Sequence, residues 1–136
     1  MNNKSCHQGA VVETAAQAAT LFRAALPEVQ KEERVLVLPL DANGKVLARP
    51  ILVSVGYQDG TAAIDAGAIF REALKSGAEE IIVAHNHPSG NLKPSKADIK
   101  TTKELKDLAS RLKVGLLDHI IVCSEGFISM SESGLF

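Results

Sequence analysis

The residues best able to do chemistry are gathered in one stretch, His85-Asn86-His87-Pro88-Ser89-Gly90-Asn91-Leu92-Lys93-Pro94-Ser95-Lys96-Ala97-Asp98. An apolar run, Ile81-Ile82-Val83-Ala84, leads into two histidines one residue apart. In extended backbone, residues i and i+2 point to the same side. Pro88 strengthens that expectation, because the residue before a proline is pushed out of the helical region. Both imidazoles are therefore expected to converge at the carboxyl end of a strand. A glycine- and proline-punctuated loop follows, and Ser95 then reads as the cap of a helix carrying Asp98 in its first turn. Two imidazoles and a carboxylate, with no cysteine nearby, suit a catalytic zinc that keeps its fourth position open. Taken singly, the same residues have ordinary roles. A histidine at a strand end is commonly a hydrogen-bonding residue, and Asp98 fits the acid of a capping box, Ser95-x-x-Asp98.

The elements that must position this stretch follow from patterning. Met1 to Gly9 is polar, and residues 1–10 read as a flexible tail ahead of one domain over 11–136. Thr14 and Gln17 form a capping box for a helix with Ala15, Ala18, Ala19, Phe22, Ala25 and Leu26 on one face, stopped by Pro27. A charged linker reaches Glu33. Arg34 to Leu40, rich in Val and Leu, reads as a strand buried on both faces. Asp41-Ala42-Asn43-Gly44 is a turn, and Lys45 to Val55 the returning strand. Pro39 and Pro50 each remove a ladder donor and predict bulges or edge positions. After a loop over Gly56 to Thr61, Asp65 caps a second helix with Ala66, Ile69, Phe70, Ala73 and Leu74 inward, ended by Gly77. Glu80 to Ala84 is a short buried strand. A third helix runs from Ser95 to about Lys113 with Ile99, Thr102, Leu105, Ala109 and Leu112 inward and Gly115 after it. Leu116 to Cys123 and Phe127 to Met130 are two further strands. There is no internal repeat. This order predicts a single α/β domain, a mixed sheet flanked by helices.

Composition narrows the function classes. The 136 residues are 46% hydrophobic and 23% charged, an ordinary globular balance. A net charge of −1 argues against a general nucleic-acid or membrane binder. Cys6 and Cys123 are the two cysteines. A disulfide framework is not expected from them, and a reducing, cytoplasmic compartment is the default. No stretch reaches membrane-spanning length, and the first ten residues lack the apolar core of a signal peptide.

The central stretch resembles the JAMM motif of the JAB/MPN metalloprotease family, His-x-His-Pro followed by Pro-Ser-x-x-Asp, at His85, His87, Pro88, Pro94, Ser95 and Asp98. The wording Ala84-His85-Asn86-His87-Pro88-Ser89-Gly90 and the later Leu116-Leu117-Asp118-His119-Ile120-Ile121-Val122 are similar to the RadC-type branch. The likeness extends from about Glu33 to the C-terminus. It implies an MPN fold, in outline like that of the cytidine deaminases, whose His-x-Glu and Pro-Cys-x-x-Cys signature is absent here. It also implies one zinc ion (Zn2+) held by His85, His87 and Asp98. A zinc with three protein ligands lowers the pKa of water toward about 7, and hydrolysis then needs a carboxylate to move the proton. JAMM enzymes supply it at the start of an upstream strand, and Glu33-Arg34-Val35-Leu36-Val37-Leu38 resembles that strand. The base is then Glu33, with Glu32 one residue away as the alternative. Ser95 would donate its hydroxyl to the oxyanion, a role compatible with plain N-capping.

Other residues keep two readings. His119 fits either a partner of the metal ligands or a satisfied core histidine, and Cys123 a small buried hydrophobe. Lys96, Lys100 and Lys103, with Lys93 just before them, form a stripe that is either solvated or able to steer an acidic partner. The implied activity is zinc-dependent cleavage of peptide or isopeptide bonds in a protein or peptide substrate. The alternatives are a catalytically silent MPN-type binding module and the DNA-repair role attached to the RadC name. The last finds little support in one Tyr, no Trp and one short lysine stripe. RadC-type proteins commonly carry a helical region before this domain, whereas one helix and a tail precede it here. The site loop has no inserted segment like those that bind ubiquitin in eukaryotic relatives. Substrate and oligomeric state are left open.

Overall fold

Eight elements form where capping and alternation direct them in the computed structural model, which describes residues 8–56 and 64–136. The tail expected at Met1 to Gly9 and the loop expected at Gly56 to Thr61 lie mostly outside those residues. Helix α1 (Ala15–Ala24) opens on the expected capping box: Thr14 Oγ1 accepts from Gln17 N, and Gln17 Oε1 accepts from Thr14 N. Helix α2 (Ala66–Lys75) is capped by Asp65, and α3 (Lys96–Arg111) by Ser95. The chain leaves α3 through Lys113, which adopts a φ of 61° while Val114 N bonds back to Ala109 O. A lysine thus holds the left-handed position where glycine is usual, and Gly115 already belongs to the next strand.

Among the described residues the five strands are β1 (Glu33–Leu40), β2 (Ile51–Gly56), β3 (Glu80–Asn86), β4 (Gly115–Cys123) and β5 (Gly126–Ser129), in the order β2-β1-β3-β4-β5. Strand β3 runs parallel to β4, and every other pairing is antiparallel. The result is a mixed sheet in one α/β domain. Parity sorts the core into two layers. Val35, Val37, Ile81 and Val83 share a face with Ile69, Phe70, Leu105 and Ala109 under α2 and α3. Leu36, Leu38, Ile82, Ala84, Ile120 and Val122 lie on the other face with Ala18, Ala19 and Phe22 of α1.

Four expectations are corrected. The returning strand is shorter than Lys45 to Val55: Val46 makes only isolated pairings, and the regular ladder begins at Ile51, after Pro50. The bulge falls between Val35 and Leu36 rather than at a proline. Pro39 lies inside β1 opposite Ile81, yet its carbonyl accepts from Leu47 N, beyond the last β1–β2 rung. Since N and C=O of one strand residue point the same way, its missing donor faces the place where β2 is absent. Finally, Ala25, Leu74 and Leu112 are exposed rather than inward, because each sits in or past the last turn of its helix. At the hairpin turn, Gly44 takes a φ of +79°, and a Cβ there would meet Val12 O at 3.0 Å. Gly9 and Ala10 exchange backbone bonds with Val46, which ties this end of the chain to that turn.

Phe22 is fully buried against the face opposite His85. Phe22→Ala should lower the unfolding free energy by about 3–5 kcal/mol in urea titrations. The imidazole resonances of His85 and His87 should keep their chemical shifts.

Candidate metal centre

His85 pairs with Val35 and so shares the face covered by α3. His87, one residue past β3, continues the ladder by donating its backbone N to Val122 O. The chain then turns: Gly90 N bonds to His87 O, with Pro88 second in the turn and a φ of 84° at Gly90. That reversal brings Asn91 O to 2.6 Å from His87 Nδ1. The Nε2 atoms of the two rings lie 2.9 Å apart. From the first turn of α3, Asp98 sets Oδ1 3.3 Å from His85 Nε2 and Oδ2 3.4 Å from His87 Nε2. The structure therefore brings His85, His87 and Asp98 together. Glu33, buried at the start of β1, places Oε1 3.8 Å from His85 Nε2.

Hydrogen bonds dictate where the ring protons sit. A carbonyl only accepts, so His87 Nδ1 carries its proton toward Asn91 O, and Nε2 offers a lone pair. Thr102 Oγ1 donates to Asp98 O at 2.8 Å and lies 2.6 Å from His119 Nδ1. With its hydrogen so committed, Thr102 accepts from His119 Nδ1, which leaves His119 Nε2 as an acceptor. That atom lies 2.7 Å from His85 Nδ1. His85 Nδ1 is thereby the donor, and its Nε2 also offers a lone pair. Two lone pairs and a carboxylate facing one point repel unless a cation lies between them. A tetrahedral zinc site has ligand–ligand edges of about 3.3 Å, close to the separations found, so this donor set fits a small divalent ion. The ligating atoms of Glu33, His85 and His87 also lie within 4.8 Å of one another, a group able to hold a metal.

Where no cation balances this charge, a proton at a histidine Nε2 can do so by bonding the Asp98 carboxylate. The hydrogen bond to Asp98 raises the pKa of His87, burial opposing it, and Asn91 O adds to the rise. Burial would raise Asp98, but hydrogen bonds from His85 and His87, the charge of His85 and the Ser95 N–H hold it well below the usual carboxylate range. Burial pushes His119 down to about 3, so it stays neutral, as the hydrogen-bond chain requires. Of its two sequence readings, His119 is both buried and a direct partner of His85.

The remaining candidates are placed as follows. Ser95 and Asp98 form a reciprocal capping box, Ser95 N donating to Asp98 Oδ2 and Asp98 N to Ser95 Oγ. Glu32 points away and meets Arg34 at 3.7 Å. Lys93, Lys96, Lys100 and Lys103 are all exposed. Cys123 is buried and free, and Cys6 lies outside the described residues. Sequence reasoning passed over Asn86, which is fully buried between the two histidines. It also took Thr102 for a mere core residue. A polar side chain on the apolar stripe of α3 was the available signal for the latter.

A five-stranded mixed sheet with a histidine pair at the end of a central strand, faced by a helix N-terminus bearing aspartate, is consistent with the JAB/MPN fold. Residues 12–135 match the RadC-like JAB domain, and the chain belongs to that family. It is 42% identical over 107 residues to a UPF0758 protein of Carboxydothermus hydrogenoformans, covering 79% of this chain and 46% of that protein. A UPF0758 protein of Thermosynechococcus vestitus is 37% identical over 122 residues, 90% of this chain and 48% of the relative. The chain thus spans about half the length of the curated relatives it matches.

Because His119 is neutral when folded and ordinary when unfolded, only the unfolded chain takes up its proton between about pH 6.5 and about pH 3. Stability is therefore lost as pH falls through that window, with a slope of up to about 1.4 kcal/mol per pH unit from this residue. In metal-free protein, His119→Gln should flatten the pH dependence of urea unfolding by about that amount between pH 6 and 4. An unchanged slope would show that His119 is not held neutral.

Proposed function

We propose that this chain is a zinc-dependent hydrolase of peptide or isopeptide bonds, with His85, His87 and Asp98 as ligands, Glu33 as general base and Ser95 as oxyanion donor. The observation that carries this reading is a buried carboxylate, Glu33, beside a histidine pair that Asp98 already bridges. Zinc held by His85, His87 and Asp98 would supply Lewis acidity for the hydrolysis. Glu33 takes the proton from the attacking water and returns it to the leaving nitrogen as the C–N bond breaks. Ser95 Oγ accepts from Asp98 N, which leaves its hydroxyl hydrogen to donate to the carbonyl oxygen as negative charge develops. Asn91 O and His119 keep both imidazoles in the ligating tautomer.

The partner is a protein or peptide with access to the cleft lined by Gln30, His87, Gly90 and Ser124. A net charge of −1 makes nucleic acid a poor match. Among the described residues no helix is long and apolar enough to cross a membrane, and the cytoplasm, where a free Cys123 stays reduced, is the expected compartment.

Zinc-loaded protein should cleave members of a proteome-derived peptide library supplemented with isopeptide-linked peptides, read by mass spectrometry. Glu33→Gln should reduce turnover about a hundredfold or more and leave zinc affinity nearly unchanged. His87→Ala should lose both, and Glu32→Gln neither. Fully loaded wild type that cleaves nothing would favour the binding-module reading.

A further inference from the structure

On its β3 side the backbone of β1 outruns its partner at the site, while β2 still pairs with Glu33 and Arg34 on the other side. Val35 pairs with His85, so the next rung would set Arg34 against Asn86, but β3 ends there and the chain turns away after His87. The rung is supplied by a side chain. Asn86 Oδ1 accepts from Arg34 N at 2.6 Å, and Asn86 Nδ2 donates to Glu32 O at 3.0 Å and to Gln30 Oε1 at 2.9 Å. A carboxamide carries the donor and acceptor of a peptide group, so it can stand in for the missing backbone. Glu32 O and Arg34 N belong to the two peptide units on either side of Glu33. Asn86 is itself fully buried, so its own carboxamide has only these partners to satisfy it, while Gln30 and Arg34 are half-buried and Glu32 is exposed.

We propose that Asn86 is the positioning residue for Glu33: its carboxamide clamps both peptide units flanking Glu33 and so fixes that carboxylate against the histidine pair. The His-Asn-His sequence then does two tasks from one strand end. Its odd residues face α3 and meet the metal site, while the even residue reaches sideways in the sheet to hold the base. Aspartate cannot replace Asn86, because it lacks the donors for Glu32 O and Gln30 Oε1. As a statement about catalysis this rests on the hydrolase reading above; as a statement about the placement of Glu33 it does not.

The test compares wild type with Asn86→Asp and Asn86→Ala by amide hydrogen exchange, crystal structure and zinc affinity against a chromophoric chelator. The Arg34 amide should exchange about tenfold faster or more in the variants, the factor expected for one lost hydrogen bond. Glu33 should leave its place near His85 while zinc affinity stays within about threefold, since the clamp bonds reach no ligand. On any peptide the wild type cleaves, kcat should fall with KM little changed, and Asn86→Ala should add nothing in a Glu33→Gln background. Unchanged Arg34 exchange with Glu33 still in place overturns the proposal. So does a parallel loss of zinc affinity, which would show that Asn86 acts on the ligands. If neither variant folds, wild-type Arg34 decides: an amide as slow as the β1–β3 ladder supports the clamp, and one exchanging like exposed backbone refutes it. Absence of any cleavage by wild type counts against the hydrolase reading alone.

Discussion

A histidine buried as deeply as His85 must have both ring nitrogens satisfied, and most of this site follows from that requirement. Its Nδ1 finds His119, whose other nitrogen finds Thr102, whose hydroxyl ends on the Asp98 carbonyl. Each link has one consistent proton placement, and the chain of bonds leaves His85 Nε2 with an outward lone pair. The relay ends on the backbone of the very residue whose carboxylate faces that lone pair. Helix α3 thus fixes tautomer and charge together. Without a cation the arrangement is electrostatically unfavourable, and the hydrogen bond to Asp98 raises the pKa of His87 in consequence.

The sheet makes this arrangement reachable. Glu33, Val35, His85 and His87 fall on one face by parity alone, and His119 joins them because it lies opposite Val83 on β4. The parallel β3–β4 pair brings both strands to the same edge, where α3 begins. The far face is occupied by α1 and contributes bulk rather than chemistry. Polar groups concentrate where β3 stops, because backbone partners run out there and side chains must replace them.

Much of this was legible in the sequence. The i, i+2 histidines before a proline, the Ser95 cap with Asp98 three residues on, and the Thr14–Gln17 box are local signals, and local hydrogen bonding realises them. The family followed from the same residues. What the sequence hid was relational. Nothing local marks Asn86 as a surrogate rung, since its partners lie more than fifty residues away at Gln30, Glu32 and Arg34. The proton relay through His119 depends on β4 register, which a one-residue slip would abolish. Pro39 looked like an edge signal, yet it is tolerated in a central strand because β2 ends early. Periodicity also carried Leu74 and Leu112 inward past the point where their helices stop touching the sheet.

The convergence of His85, His87 and Asp98 on one divalent ion is tested most directly by zinc-edge X-ray absorption, with metal analysis, on protein loaded and then freed of excess zinc. One tightly held zinc per chain is expected, with nitrogen and oxygen donors only at about 2.0–2.2 Å. His87→Ala and Asp98→Ala should each abolish that signal. No retained zinc, or a sulfur shell at about 2.3 Å implicating Cys123, would contradict the site described.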